Sequence, residues 1–230
     1  MASPTYVTSA QTASNNATSL APAKPPSLAV GNLMIQAAVW AASGITISPT
    51  SASWTNALGA GTMVSNPSAT RTAALFWKFA DASDVSAASF SMSESGSAAN
   101  GVAFVSAYSF VDGSQPIQAV VSAGGASGTS QTSPIVTPYG PETRIVTVIF
   151  ETTASGSTGT ITDASLSNLT QVARNAVGGA IGDKAGPAGG SSSGADSISF
   201  SIAAEAIMFT LAIAPPAVVE AAQVQPYVYY

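Results

Sequence analysis

Neither histidine nor cysteine occurs among the 230 residues of this chain. Histidine is the commonest general base and metal ligand in proteins, so its absence excludes a Ser–His–Asp triad and a Cys–His pair. Without cysteine the chain has no disulfide framework and no thiolate metal site. We therefore predict no catalytic residue, no metal ligand and no cofactor, and an enzyme is the least favoured class of protein.

The acidic residues do not form a convincing catalytic pair or calcium loop. Asp81 and Asp84 lie close together in FADASDVS, and Asp163 lies in the oxygen-rich stretch TDASLSN. A calcium loop places its acidic residues at spacings that neither stretch has. Aspartate in such positions commonly forms turns and helix caps, so we expect structural roles for these residues.

Charged residues of either sign are scarce. Only 7% of the residues are charged, whereas an ordinary globular protein has about 25%. The six Lys and Arg residues are scattered singly and are outnumbered by eleven Asp and Glu, which excludes the basic surface that nucleic acid requires. Because 46% of the residues are hydrophobic, the chain can build a core, and its surface must consist mainly of small, uncharged side chains. Such a surface favours packing against neighbours.

We predict neither a signal peptide nor a membrane-spanning segment from the sequence. The N-terminus lacks the positive and apolar regions of a signal peptide. The most apolar stretch, residues 202–219, contains Glu205 and the pair Pro215-Pro216, which argues against a membrane span. We expect no membrane partner.

The sequence is rich in the residue patterns that are typical of β-strands. Apolar residues alternate with serine in ISFSI (198–202), which is typical of a strand with one buried face. RIVTVIF (144–150) is rich in β-branched residues, which predicts a strand buried on both faces. No segment has the period of an amphipathic helix. Clusters such as SAGGASGTSQTS (122–133) and GPAGGSSSGAD (186–196) are expected to be loops.

The strand pattern occurs twice. NLMIQAAVW begins at Asn32 and a similar run, ETRIVTVIF, begins 110 positions later at Glu142, while the tripeptide SFS recurs at the same spacing. A duplicated half-domain is the simplest explanation. We predict an all-β fold in residues 25–217, an antiparallel, jelly-roll-like β-sandwich built from two related halves, about 25–122 and 134–217, which interleave or pack face to face. Two sandwiches in series are the alternative.

The two ends of the chain differ from this pattern. Residues 1–24 are rich in Ala, Ser and Thr and are predicted to form a low-complexity arm. Residues 218–230 are predicted to form an aromatic tail, and its Tyr227, Tyr229 and Tyr230 are expected to dock on a partner.

Few other side chains are candidates for partner contacts. Trp54 is the one tryptophan in loop-like surroundings, where exposure for sugar stacking competes with burial under the loop. The glycine-rich stretch 178–190 is expected to be a long flexible contact loop that carries Asp183 and Lys184. It lacks the GxxxxGK[ST] pattern of a phosphate-binding loop.

A series of short motifs runs along the first half of the chain. In order, they are Gly31-Asn32-Leu33 before an apolar strand, Trp54 in a turn, Trp77-Lys78-Phe79-Ala80, Tyr108, Val111-Asp112 and Pro116-Ile117. Together with the strand pattern over about residues 25–215, they resemble the β-sandwich structural proteins of tailed bacteriophages and related prophages. Asn32 stands where that family usually has aspartate, and Phe110 where it has a small residue. The resemblance implies a tail fibre, minor tail protein, head fibre or capsid decoration protein.

Composition and resemblance together predict a non-enzymatic structural protein of a tailed-phage virion. We expect it on the particle exterior, where its arms and uncharged faces contact copies of itself, in a symmetric homo-oligomer, and other virion proteins. The alternative is a carbohydrate-binding or host-adhesion module whose loops near Trp54 and residues 178–190 bind a host surface glycan.

Overall fold

The fold is almost entirely β. The computed structural model describes residues 2–138, 142–153, 159–174, 177–187 and 191–217, and its one helix in these ranges has five residues. This confirms the predicted all-β class. Within the same ranges, no helix is long and apolar enough to cross a membrane.

Nine strands and the helix belong to the first half of the chain. In chain order they are β1 (Thr5–Ala17), β2 (Ser19–Leu20), β3 (Leu33–Trp40), β4 (Ile47–Pro49), β5 (Thr55–Asn56), β6 (Val64–Ser65), β7 (Thr72–Phe79), α1 (Ala82–Ser86), β8 (Met92–Glu94) and β9 (Ala99–Ser109). Six described strands follow in the second half: β10 (Ile117–Thr132), β11 (Arg144–Thr152), β12 (Ile161–Thr162), β13 (Ser167–Arg174), β14 (Val177–Ala185) and β15 (Ser197–Ile213).

The first half forms one large sheet and one small sheet. The large sheet has the order β1-β9-β3-β7-β5, with β6 also paired to β7, and the small sheet has the order β2-β8-β4. The first strand thus pairs with the last, and the second with the last but one. This is the pairing of a β-ribbon rolled up on itself, which gives a jelly roll.

The second half repeats this strand order. Its sheet runs β10-β15-β11-β14-β13, so β10 corresponds to β1, β15 to β9, β11 to β3 and β14 to β7. The first part of β15 also pairs with β12 and with the far end of β10, as β8 pairs with β4 and β2. The duplication predicted from the spacing of sequence motifs is therefore visible as one topology used twice.

The two large sheets pack face to face and share one core. That core contains Leu33, Ile35, Val39, Leu75, Val102 and Phe104 from the first half, and Val146, Val148, Phe150, Ile181, Phe209 and Leu211 from the second. The ring centroids of Phe104 and Phe150 lie 6.1 Å apart across the two sheets. The two halves therefore pack face to face and do not interleave.

The outer face of each large sheet is covered as well. Trp40 and Phe76 pack with Leu20, Ile47 and Met92 on the outside of the first sheet. Ile149 and Met208 pack with Ile161, Ile198 and Phe200 on the outside of the second. β3 is consequently buried along its whole length, and β11 along all but its first residue, as predicted for β11. Each half is a small jelly roll, and the two rolls are joined through their large sheets.

The structure differs from the predicted arm over residues 5–17, which form the edge strand β1 and pair with β9. The Tyr6 ring contacts Tyr108 edge-on at 5.9 Å, and Ala13 packs against the shared core. The side chains through which β1 contacts the apolar clusters, Tyr6, Val7, Ala10 and Ala13, are only partly buried and lie among small polar residues. Their apolar signal is too weak to separate a strand from a low-complexity segment.

Two glycine-rich stretches expected to be loops are strands. Most of residues 122–133 belong to β10, and residues 178–185 belong to β14. A Cβ atom on Gly179 would lie 2.8 Å from ring atoms of both Phe104 and Phe150. Glycine occurs here because the aromatic core of the shared interface comes too close to the β14 backbone for any side chain.

Candidate functional site

Asp183, predicted to contact a partner, is wholly buried in β14. Its Oδ1 accepts hydrogen bonds from Nη2 of Arg144 and, at 3.0 Å, from Nδ2 of Asn168. Burial, followed by the negative charge of Asp183, raises the pKa of the neighbouring Tyr108 well above its usual value. Because Tyr108 comes from β9 and Asp183 from β14, this cluster joins the two halves. Its burial removes Asp183 from the candidates for partner contact.

Lys184 is engaged inside the molecule too. Its Nζ forms an ion pair with Oδ1 of Asp196, which also accepts a hydrogen bond from Ser165 Oγ at 2.8 Å. The backbone N–H of Asp196 donates to Ser133 Oγ at 2.9 Å. This network fixes β14 to the segments before β11 and β15, so the expected flexible contact loop carrying Asp183 and Lys184 is not present. The other predicted contact residues, Tyr227, Tyr229 and Tyr230, lie outside the described residues.

Trp54 is half-buried. It is thus neither fully exposed for sugar stacking nor fully buried under its loop, the two alternatives that the sequence left open. Its ring packs edge-on against Phe90 with the centroids 6.1 Å apart. The Nζ atom of Lys78 lies 5.7 Å from the centroid of the Trp54 ring, close enough for a cation–π contact. The Trp54 loop is therefore anchored by an aromatic and a cationic neighbour.

The Lys78 ammonium is held in turn by the short helix. It lies 2.7 Å from Oδ2 of Asp84 in a buried ion pair. Asp81 caps α1 by accepting hydrogen bonds from the N–H groups of Ser83 and Asp84, and Asp84 accepts one from the N–H of Asp81. The structural roles predicted for Asp81 and Asp84 are confirmed.

An open groove runs beside Trp54. It has a volume of ≈ 570 Å³, the size of a small-ligand pocket, and is bordered by Pro49, Trp54, Asn56, Met63 and Phe76. One aromatic ring with amide and hydroxyl groups at its rim is an arrangement that can stack a flat apolar face and hydrogen-bond its edge. This is the place where the structure could hold a sugar ring.

A second cleft, of ≈ 480 Å³, lies between the two halves. There, Oε2 of Glu205 from β15 accepts hydrogen bonds from Asn66 Nδ2 and from Ser68 Oγ, the latter at 2.7 Å. Asn66 Oδ1 accepts from the backbone N–H groups of Thr70 and Arg71. Partial burial lowers the pKa of Arg71, and the charge of Glu205 opposes this effect. The network closes the side of the molecule opposite β1, and no local sequence pattern predicts it.

Glu151 is a buried carboxyl group without a charged partner. It lies on β11, fully removed from solvent, and neither of its oxygens makes a well-formed hydrogen bond among the described residues. Burial raises the pKa of Glu151 to about 7, and the nearby backbone N–H of Gly159 reduces this effect. No salt bridge to Glu151 occurs among the described residues, and a lone carboxyl group does not make a catalytic site.

No cluster of three or more metal-ligating acidic side chains occurs in the described parts of the chain. Asp163 forms a turn instead, because its Oδ1 accepts hydrogen bonds from the N–H and Oγ of Ser165 at 2.7 and 2.6 Å. This is the role that the sequence predicted for it.

Comparison of the chain with models of protein families, with curated proteins and with solved structures gives no match. The resemblance to phage structural proteins therefore stays a prediction.

Proposed function

We propose that this chain is a non-catalytic structural protein of a tailed-phage virion, exposed on the particle exterior as a decoration, fibre or minor tail component. The observation that carries the proposal is how little charge the molecule leaves on its surface. Of the charged residues that the structure describes, six are buried: Lys78, Asp84, Glu94, Glu151, Asp183 and Asp196. Since isolated soluble proteins are kept apart by surface charge, a nearly neutral exterior suits a molecule whose surface is covered by neighbours.

The arrangement of the buried charges supports the same proposal. Lys78 and Asp84, Arg144 and Asp183, and Lys184 and Asp196 form ion pairs within the chain. These ion pairs hold β7 to α1, and β14 to β11 and to the segment before β15, and none of the six groups lines the Trp54 groove or the cleft beside Glu205. A rigid scaffold with its ionisable groups used internally is suited to a structural role.

Two of the motifs that resemble phage proteins form tight turns. Gly31 has φ +86°, and Asn32 Oδ1 accepts a hydrogen bond from the N–H of Ala29 at 2.9 Å. Asp112 Oδ1 accepts from the N–H groups of Ser114 and Gln115 at the crossing between the halves. The resemblance therefore involves positions whose turns shape the fold. It supports the proposed virion protein through this likeness of fold.

The proposal is tested on particles released from a strain that carries the gene. The particles are purified on a density gradient, the chain is quantified by mass spectrometry, and an antibody against it is applied to intact particles. We expect a fixed copy number per particle and binding of the antibody to the exterior. Absence of the chain from purified particles refutes the proposal.

The second candidate function is glycan binding, and the groove beside Trp54 favours it. The half-buried ring borders an opening with Asn56 and Pro49, and stacking of a sugar on such a ring needs only its exposed face. A glycan array with the intact chain tests it. Binding that disappears in Trp54→Ala but persists in Trp77→Phe, a change of the half-buried tryptophan on β7, supports it, and no binding to any glycan removes it.

A further inference from the structure

Each large sheet has one edge that is protected against pairing with another chain. In the first sheet, β5 and β6 have two residues each. In the second sheet, β13 carries Arg174 and has an irregular register near Asn168, whose φ is positive. Short strands, charged side chains and irregular pairing are devices that keep an exposed sheet edge from binding further strands.

The opposite edges, β1 and β10, lack most of this protection. They have 13 and 16 residues, and neither contains a charged residue or a proline. Among the described residues, the backbone of β1 pairs only with β9 and that of β10 only with β15. Ser9 and Gln11 of β1 also hydrogen-bond to β13 of the facing sheet, but through their side chains. Each strand therefore presents backbone N–H and C=O groups along one side, where an added strand would bind.

Of the two edges, β1 is better suited to bind another strand. Its register with β9 is regular over residues 8–14, and this stretch contains no glycine. The regular stretch of β10, residues 119–125, includes Gly124 and Gly125. Glycine weakens a strand and specifies its register poorly. A stable and specific pairing is therefore expected at β1.

An identical strand is an electrostatically suitable partner for β1. Antiparallel self-pairing centred on Gln11 places Thr8 opposite Ser14, Ser9 opposite Ala13, and Ala10 opposite Thr12. No like charges meet in this arrangement, whereas like charges directly opposite each other destabilise a pair of strands. A strongly charged partner strand would find no complementary charge on β1.

We propose that β1 pairs antiparallel with β1 of a second copy of this chain, around a two-fold axis near Gln11, so that two first-half sheets become one continuous sheet. This inference rests on the proposed function, because it names the first contact through which the structural protein assembles. A two-fold interface buries the same edge on both copies and is the commonest symmetry of homo-oligomers.

The test uses sedimentation velocity of the full chain over a wide range of concentrations. We expect a reversible dimer. Gln11→Lys places two positive charges opposite each other and is expected to raise the dimer dissociation constant roughly tenfold or more. Gln11→Glu should do the same, and an equimolar mixture of the two variants should restore the dimer. Val121→Lys, at a position 40% exposed on β10, is the matched control and should leave the dimer unchanged.

Hydrogen exchange of the wild-type chain gives a second readout that needs no substitution. Amides of residues 5–17 should exchange more slowly at high than at low protein concentration, and amides of residues 117–132 should not. A wild-type chain that stays monomeric, a Gln11→Lys variant that still dimerises, a mixture that does not restore the dimer, or dissociation caused by Val121→Lys overturns the proposal. A monomer in isolation would leave the particle experiment to decide the virion function separately.

Discussion

Replacing Glu151 with glutamine should make the protein more stable at alkaline pH. The carboxyl group is buried without a charged partner, and burial raises its pKa from 4.5 to about 7. Each change of one in pKa corresponds to about 1.4 kcal/mol, so the largest effect is about 3 kcal/mol. Water entry and local relaxation reduce it, and we expect about 1 to 2 kcal/mol.

The sign follows from which state of the chain binds the proton more tightly. The pKa of Glu151 is raised in the folded chain, so its contribution to stability is fully present below pH 4.5 and is lost as the pH rises through about 7. Above that pH the folded chain holds a buried, unpaired carboxylate. Glutamine has nearly the same shape and cannot ionise, so its advantage appears at pH 8 and is small at pH 5.

Urea denaturation followed by tryptophan fluorescence at pH 5 and pH 8 measures this difference. Glu142→Gln is the matched control, because Glu142 is exposed and its replacement should change stability little at either pH. If Glu151→Gln loses stability relative to the wild type at pH 8, or keeps the same dependence on pH, the assignment of an unpaired buried carboxylate is wrong.

Three further substitutions test how the halves are held together. Asn66→Ala leaves Glu205 without one of its donors and should lower the free energy of unfolding by about 1 to 3 kcal/mol in urea denaturation. Gly179→Ala brings a methyl group against the aromatic core and should cost about 1 to 3 kcal/mol in the same assay, whereas no loss would contradict the close approach. Arg144→Met removes the charged partner of the buried Asp183 and should cost about 3 to 5 kcal/mol, with a smaller loss expected if methionine is combined with Asp183→Leu.

The parts of the fold that the sequence predicts are those with strong local patterns. RIVTVIF predicts β11 because its residues are almost all β-branched or large and apolar. The repeated SFS is a weaker guide, because it lies within β15 in the second half but just before β8 in the first. β14 escapes prediction because its glycines serve close packing, while glycine in a sequence more often indicates a loop. The residues of β1 are small and polar, and only the tertiary contact of Tyr6 with Tyr108 shows why this segment is a strand.

The candidate sites are harder to predict because their parts are far apart in the chain. Asn66 and Glu205 are separated by 139 positions, and their contact depends on two sheets packing face to face. Asp183 and Lys184 lie in a glycine-rich stretch that is typical of a contact loop. In the structure they instead form ion pairs with Arg144 and Asp196. Nothing local to either pair indicates which partner it will meet.

Electron cryo-microscopy of intact particles would decide whether this chain lies on the particle exterior. We expect external density into which the two joined jelly rolls fit, with the uncharged faces and the β1 edge covered by neighbouring protein. Particles that contain the chain only in their interior, or particles without such density, would contradict it.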